Sequence, residues 1–381
     1  MKKKVLFFIH TMRGGGVENV LLNIVNNEQF KDLNITILLI RKEGDFLEFI
    51  PNGVNLKFLA LGNEFLSKNS IINFFQKSFR YLKLNFLLKF PFFIRKFYIP
   101  EVYDVENAFL SDLIPILDKI KRKNTYNIGW IHGDIYANKA EITLKNKVLK
   151  SSLNLDKVIY VSKKSLKSGI LWNPNLKKNA QVIYNPINKE EILKKSLQPI
   201  DFNFKNFVFV CIGRLSGVKG YEDLIEVHKK LISNNIIHDI VVVGKGEDEN
   251  ILKTKILNYK IENTFHLLGH KQNPYPYLKN ADAYLLNSKS EGYPLAVKEA
   301  LLLGKPMIVT NVGGVSEIVN NSNAILIDFN QDQLYEAIKK MIVDNDFRNQ
   351  LRINNEKHYE NYNKNIIYNS YRELFFYKKN K

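Results

Sequence analysis

The chain is poor in the features that give several common protein classes away. Cys211 is its only cysteine, and it sits inside the apolar run Phe207 to Ile212. Disulfides within the chain and cysteine-based zinc sites are thereby excluded, which agrees with a reducing compartment. No eighteen apolar residues follow one another without interruption, so a spanning helix is not expected. The apolar run Val5 to Ile9 is short and leads straight into Gly14-Gly15-Gly16, so no secretory signal is expected either. Gly244-Lys245-Gly246 lacks the leading glycine of a P-loop, and no Ser or Thr follows Lys245. The first glycine loop stands too far from its strand for a dinucleotide fingerprint, and no acidic residue ends the next strand at Ile37 to Ile40. ATPase and hydride-transfer readings lose support accordingly. His10, His228, His238, His266, His270 and His358 show no metal-ligand spacing, so no metal site is expected.

Acidic residues are also few relative to basic ones: 38 Asp and Glu face 56 Lys and Arg, a net charge of +18. Such a field favours anionic partners, among them anionic lipid and phosphorylated substrates. No nucleic-acid reading module accompanies the charge, and nucleic acid is not expected as a partner. One basic concentration stands apart. Between residues 64 and 100, aromatics alternate with Lys77, Arg80, Lys83, Lys89, Arg95 and Lys96, and Phe75, Phe79, Leu82 and Phe86 recur at three- and four-residue spacing. One reading is an amphipathic segment lying on an anionic membrane surface. The other is one or two helices of the first domain's core with a basic exposed face.

The 381 residues fit two domains, and both halves alternate strand and helix signals. In the first half, strands are expected at Val5 to Ile9, Ile35 to Ile40, Asn127 to Ile131 and Lys157 to Val161. In the second they are expected at Phe207 to Ile212, Ile240 to Val243, Phe265 to Leu268, Ala283 to Leu286, Met307 to Val309 and Ala324 to Ile327. We place the first domain at 1–188, a polar linker at 189–206, the second domain at 207–365, and a terminal helix at 366–381 that packs back on the first domain. The fold class is α/β, two doubly wound Rossmann-like domains facing across a cleft, with ligands outside the strand ends.

The richest stretch is Ser290-Glu291-Gly292-Tyr293-Pro294-Leu295, followed by Lys298-Glu299-Ala300 and Gly304-Lys305-Pro306. Pro294 suits a first helical turn, and Gly304 before Pro306 suits the stop. The unpaired N–H groups of such a helix start suit a diphosphate. Glu299, further along the helix, is placed to accept hydrogen bonds from sugar hydroxyls. The loop Gly213 to Gly220 leaves a buried strand and carries Arg214 and Lys219, two cations for phosphate oxygens. Gly15 and Gly16 let backbone approach a ligand where a Cβ would clash. His132 follows a strand, where an imidazole can donate to a substrate hydroxyl.

Taken in order, these motifs resemble family four of the nucleotide-sugar-dependent glycosyltransferases, retaining enzymes of the GT-B fold. The matching elements are Gly14-Gly15-Gly16-Val17-Glu18, Gly213-Arg214-Leu215 with Lys219-Gly220, Val243-Gly244-Lys245-Gly246, Gly269-His270, the pair Glu291 and Glu299, Gly304 to Pro306, and Gly313, Gly314 and Glu317. The resemblance implies that Arg214 and Lys219 hold the donor diphosphate and that Glu299 holds the ribose. Glu291 would support the transferring sugar, cupped by the backbone of Gly292, Tyr293, Pro294 and Leu295. Gly244 would shape the donor site, Gly15 and Gly16 would approach phosphates or acceptor, and His132 would approach the donor sugar. It further implies a UDP-sugar donor with no cofactor required, and a bacterial surface-glycan role on a lipid-linked acceptor at the inner face of the cell membrane, with the protein cytoplasmic and peripheral. A soluble small-molecule or protein acceptor is one alternative, and a non-catalytic binding or scaffold subunit of the same fold is another.

Overall fold

A computed structural model describes residues 2–134, 142–360 and 364–377. The chain divides into two compact units, residues 1–186 with 364–381 and residues 187–363. In the first unit the strands are β1 (Lys3–Ile9), β2 (Leu33–Lys42), β3 (Asn55–Leu61), β4 (Val105–Ala108), β5 (Tyr126–Ile131), β6 (Lys157–Tyr160) and β7 (Ala180–Val182). They form a seven-stranded parallel sheet in the order β3-β2-β1-β4-β5-β6-β7. The second unit holds β8 (Val208–Ile212), β9 (Asp239–Val243), β10 (Phe265–Leu267), β11 (Ala283–Leu286), β12 (Met307–Thr310) and β13 (Ile325–Ile327). These form a parallel sheet in the order β10-β9-β8-β11-β12-β13. The central strands read as near-continuous Val, Ile, Leu and Phe because helices cover both faces.

Strand order decides which loops meet. In each sheet the chain winds outward one way and then returns to the other side of its first strand, so β1 neighbours β4 and β8 neighbours β11. The loops leaving two such strands diverge to opposite faces and open a crevice at their carboxyl ends. At the first switch His10 Nε2 lies 2.5 Å from Asp112 Oδ2. The second switch brings the 213–220 loop beside Glu291.

In the stretch read as a linker, Asn188 caps the Lys189–Lys195 helix by accepting from Glu191 N–H. This stretch is tied to the second unit by Lys271 on Asp201 (2.6 Å) and by Asn273 Nδ2 on the Lys195 carbonyl (2.9 Å). The terminal Lys364–Phe376 helix lies on the first sheet. Phe375 meets Phe7 edge-on at 5.5 Å, Tyr371 stacks on Trp130 at 5.3 Å, and Arg372 Nη2 reaches Asp32 at 3.0 Å.

The aromatic-basic segment forms a twenty-residue helix, Ser70–Lys89, and a short one, Phe92–Phe97. Asn69 caps the long helix through the Ile71 and Ile72 N–H groups. Its inner edge, Leu87 with the partly covered Leu84 and Leu88, joins the core with Ile94. The periodic apolar face points the other way: Ile71, Phe74, Phe75, Phe79, Leu82 and Phe86 are 48–71% exposed.

Candidate nucleotide-sugar site

The loops after β8 and β9 are laced together by backbone. Gly213 N–H donates to the Val243 carbonyl (3.1 Å) and Leu215 N–H to the Lys245 carbonyl (3.1 Å). Gly244 has φ +158°, and a Cβ there would stand 1.8 Å from the Gly213 oxygen, so only glycine lets the two loops approach this closely. The lacing fixes the base of the loop that carries Arg214 and Lys219.

Lys219 closes a 3-10 turn, with its N–H on the Ser216 carbonyl at 2.8 Å. Its Nζ lies 2.5 Å from Glu291 Oε1, in a spot where the Lys219 side chain is 21% and the Glu291 side chain 12% exposed. Ser288 Oγ donates to the same oxygen at 2.6 Å, and Thr310 Oγ1 in turn holds the Ser288 carbonyl at 2.8 Å. Glu291 therefore has one cation and one hydroxyl on a single oxygen, a geometry that fixes its carboxylate plane. Arg214 is different. Its Nε donates to Glu247 Oε2 at 2.8 Å, but both side chains are more than half exposed, so this pair is readily exchanged for another anion.

The turn after Glu291 is anchored from below. Gly313 sits at φ +51°, where a Cβ would lie 1.8 Å from the backbone carbonyl oxygen of Glu291, and Gly314 N–H donates to the Gly292 carbonyl at 2.8 Å. Pro294 is the N-cap, one residue outside the Leu295–Leu302 helix, and Tyr293 and Leu295 are buried beside it. The helix start thus stands next to the Glu291–Lys219 pair, with its first-turn N–H groups lacking helical partners.

Glu299 lies in the second turn of that helix and is buried. Tyr275 Oη donates to its Oε1 at 3.2 Å. Burial pushes the Glu299 carboxyl up to about 7, against the Tyr275 hydrogen bond and the Lys298 charge that favour ionisation. Burial likewise holds the Lys298 ammonium down at about 7, with Nζ 5.2 Å over the Tyr293 ring. The second unit therefore concentrates two cations, a helix start and two carboxylates of different character around the β8/β11 switch.

Gly15, Gly16 and His132 lie in the first unit. Gly15 is the N-cap of the Gly16–Val25 helix, and a Cβ on Gly16 would meet nothing within 4 Å. His132 keeps some exposure as a residue, yet both ring nitrogens are buried, with the Phe109 backbone the polar group that favours its charged form. Its ring meets Phe109 edge-on at 4.9 Å and stacks on Trp130 at 5.9 Å. Burial drives its pKa down to about 3, so the imidazole is neutral and not an imidazolium. Among the described residues no group of three or more His, Cys, Asp or Glu gathers to hold a metal ion.

Sequence reasoning missed Ser288 and Tyr275, which orient the two glutamates, and Glu247, which parks Arg214. Ser288 stands three residues before Glu291, a spacing that lets a hydroxyl reach a carboxylate. Tyr275 is twenty-four positions from Glu299 and carries no local signal.

Residues 194–358 match the family model described as Glycosyl transferases group 1. Over 166 residues the chain is 35% identical to the UDP-Gal:alpha-D-GlcNAc-diphosphoundecaprenol alpha-1,3-galactosyltransferase of Escherichia coli, covering 42% of this chain and 41% of that one. Over 357 residues it is 25% identical to the N-acetylgalactosamine-N,N'-diacetylbacillosaminyl-diphospho-undecaprenol 4-alpha-N-acetylgalactosaminyltransferase of Campylobacter jejuni, covering 91% and 92%. The chain spans 35% and 55% of the lengths of two Methanocaldococcus jannaschii glycosyltransferases to which it is 31% identical in the aligned parts. The crystal structure of Anabaena HepE in complex with UDP-glucose superposes with a TM-score of 0.75 at 18% identity, covering 97% of this chain and 98% of that one. That likeness extends over both units and shows the fold.

Proposed function

We propose, for a chain that is a GT-B-fold relative of the family-four glycosyltransferases of bacterial surface polysaccharides, that it is a retaining transferase. It moves a hexose or N-acetylhexosamine from a UDP-sugar to a lipid-linked oligosaccharide. The observation that carries this reading is the junction of Lys219, Glu291 and the helix start at Leu295. Lys219, Arg214 and the helix N–H groups are the preorganised positive groups that a departing nucleotide diphosphate requires. Glu299 accepts from the ribose hydroxyls, and Glu291 stands where the sugar meets the diphosphate.

In this scheme the bond between the anomeric carbon and the diphosphate oxygen breaks while an acceptor hydroxyl oxygen bonds that carbon from the same face. The departing diphosphate takes the hydroxyl proton. His132 stays neutral and moves no proton, and its ring, packed against Phe109 and Trp130, borders the donor sugar. Gly15 and Gly16 give the backbone room for phosphate or acceptor.

The lipid-linked acceptor is supported by the acceptors named for the two bacterial relatives and by the exposed apolar helix of the first unit. No helix among the described residues is long and apolar enough to cross a membrane. We therefore place the protein peripherally, on the anionic inner face of the cytoplasmic membrane. The test is transfer from a UDP-sugar to a diphosphate-linked lipid glycan, with the new linkage assigned by proton NMR. Retention of the donor's anomeric configuration is expected; an inverted product would overturn the mechanism.

A further inference from the structure

Three arginines in the first unit converge at the carboxyl ends of β1, β2 and β3. Arg13 Nη2 lies 2.5 Å from Glu43 Oε1, and Arg41 Nε lies 3.4 Å from Glu43 Oε2. Asn63 Nδ2 approaches Glu43 Oε1 at 3.5 Å, while Arg80 Nη2 donates to Asn63 Oδ1 at 2.7 Å and Arg80 Nη1 to the Leu61 carbonyl at 3.1 Å. Glu43 is buried, its side chain only 6% exposed, whereas that of Arg13 is 51% exposed. One inner carboxylate thus holds the network together, while exposed Asp45, Glu48 and Glu64, the last accepting from Gly44 N–H at 2.8 Å, flank it, so the place is marked by its convergent guanidinium forks rather than by a surplus of charge.

The composition of the adjoining segment sharpens the point. Arg80 belongs to the Ser70–Lys89 helix, and from residue 65 to residue 100 the chain has no Asp or Glu at all. The outer face of that helix is the exposed apolar one, and Lys77 and Lys89 are exposed along it. Lys42, beside the cluster, places Nζ 5.1 Å over the ring of Phe65, itself exposed. Apolar surface and forked cations therefore adjoin through a single side chain, Arg80.

We propose that Arg13, Arg41 and Arg80 receive the diphosphate of the lipid-linked acceptor while the apolar face of the Ser70–Lys89 helix rests in the bilayer. This deepens, and rests on, the lipid-linked acceptor reading above. A guanidinium offers two parallel N–H donors that match phosphate oxygens, and three of them suit two linked phosphates better than they suit one carboxylate. The strand ends are the ligand side of a parallel α/β sheet. A diphosphate bonded to a membrane-embedded chain is held at the water interface, the level at which a helix with an apolar face and a cationic rim settles. The donor's own diphosphate has its cations in the second unit, so these arginines are left for the acceptor.

The test is co-sedimentation of the full chain with phosphatidylcholine vesicles carrying a long-chain polyprenyl diphosphate. Vesicles matched in charge with phosphatidylglycerol, and soluble inorganic diphosphate as competitor, complete the set. The chain is expected to bind the polyprenyl diphosphate vesicles about tenfold more tightly than the charge-matched ones. R13Q/R80Q loses that preference, and K177Q/K178Q, which removes the same charge from exposed lysines elsewhere in the unit, keeps it. R13K/R80K keeps the charge without the fork and is expected to lose most of the preference, which covers the case of a poorly folded glutamine pair. Equal binding to both vesicle types, or a preference that survives R13Q/R80Q, overturns the site. Binding of inorganic diphosphate by the chain, with no binding to the polyprenyl diphosphate vesicles, overturns the lipid source. UDP release stimulated by a lipid-linked sugar separates the two levels. No stimulation in the wild type removes the acceptor reading itself, whereas equal stimulation in wild type and R13Q/R80Q removes only these arginines.

Discussion

Lys219 Nζ sits 2.5 Å from Glu291 Oε1 although the two are seventy-two positions apart, because β8 and β11 are neighbours at the switch of the second sheet. Substituting Lys219→Ala leaves Glu291 with Ser288 alone and, in the proposed mechanism, removes a cation from the place where charge develops. A fall of about 10²–10³-fold in kcat/KM is expected. Steady-state UDP release measures it, and a loss confined to KM would mean that Lys219 only binds the donor.

If Glu299 holds the donor ribose as proposed, UDP binding has a pH dependence whose sign follows from the burial of this carboxyl. An ionised carboxylate accepts ribose hydroxyls, so UDP affinity should fall as pH drops below about 7. Removing the Tyr275 hydroxyl takes away a hydrogen bond that favours the ionised form. Tyr275→Phe should therefore weaken UDP binding several-fold near pH 7, with the gap to wild type closing above about pH 8. Titration calorimetry across this range checks it; a pH-independent loss would reduce Tyr275 to packing.

Stability carries a second signature of the same residue. The folded chain keeps a proton on Glu299 between the ordinary value of 4.5 and about 7, where the unfolded chain has released it. Stability contributed by this group therefore declines as pH rises through that window. Glu299→Gln removes the dependence, so its melting temperature should gain on wild type from pH 4.5 to pH 7. An unchanged difference over that range would show that Glu299 is ionised throughout.

A pair of buried histidines on the other side of the second unit should act in the opposite direction. His228 Nδ1 and His238 Nε2 are 2.9 Å apart, His238 Nδ1 donates to the Ile236 carbonyl, and His228 Nε2 meets Thr264 Oγ1 at 2.9 Å. Burial, with each ring's effect on the other, holds His228 neutral down to about 2. The unfolded chain binds protons here below the ordinary value of 6.5 while the folded one does not, so stability is full above 6.5 and lost progressively below it. His228→Leu should lower the melting temperature at neutral pH and flatten its fall toward pH 5. An equally steep acid limb in the variant would contradict this assignment.

In the first unit Arg95 donates to both carboxylate oxygens of the fully buried Glu106 (2.8 and 2.6 Å) and to the Ile120 carbonyl. Arg95→Met leaves that carboxylate buried and unpaired, with an expected loss of about 3–5 kcal/mol. The double change Arg95→Met, Glu106→Leu should recover most of it. Chemical denaturation measures both, and additive losses would argue against the pairing.

This buried pair also explains what the sequence left unread. β4 is Val105-Glu106-Asn107-Ala108, with two polar residues buried at the heart of a sheet, so no apolar run announces it. Its polarity is satisfied from far away: Arg95 holds Glu106, while Asn107 donates to the Leu6 carbonyl and accepts from Trp130 Nε1. β3 hides for a simpler reason, its polar start and Lys57 breaking the pattern. The strands with unbroken Val, Ile and Leu were legible because burial on both faces leaves nothing else to choose. The 70–89 segment was legible as a helix but not in its orientation, since periodicity fixes which residues share a face and not what covers it. Likewise Glu291 and Glu299 could be read from local motifs, whereas Tyr275 is brought to Glu299 only by the fold.

The central claim is that the cations and helix start of the second unit exist to hold a departing uridine diphosphate. Its most direct test is nucleotide release from a panel of UDP-, GDP- and ADP-sugars by the wild-type chain and by Arg214→Ala and Lys219→Ala. The account predicts release from a UDP-sugar by the wild type, a loss of about 10²–10³-fold in Lys219→Ala and of about tenfold or more in Arg214→Ala. Release that is unchanged in both variants, or none from any UDP-sugar, would contradict it.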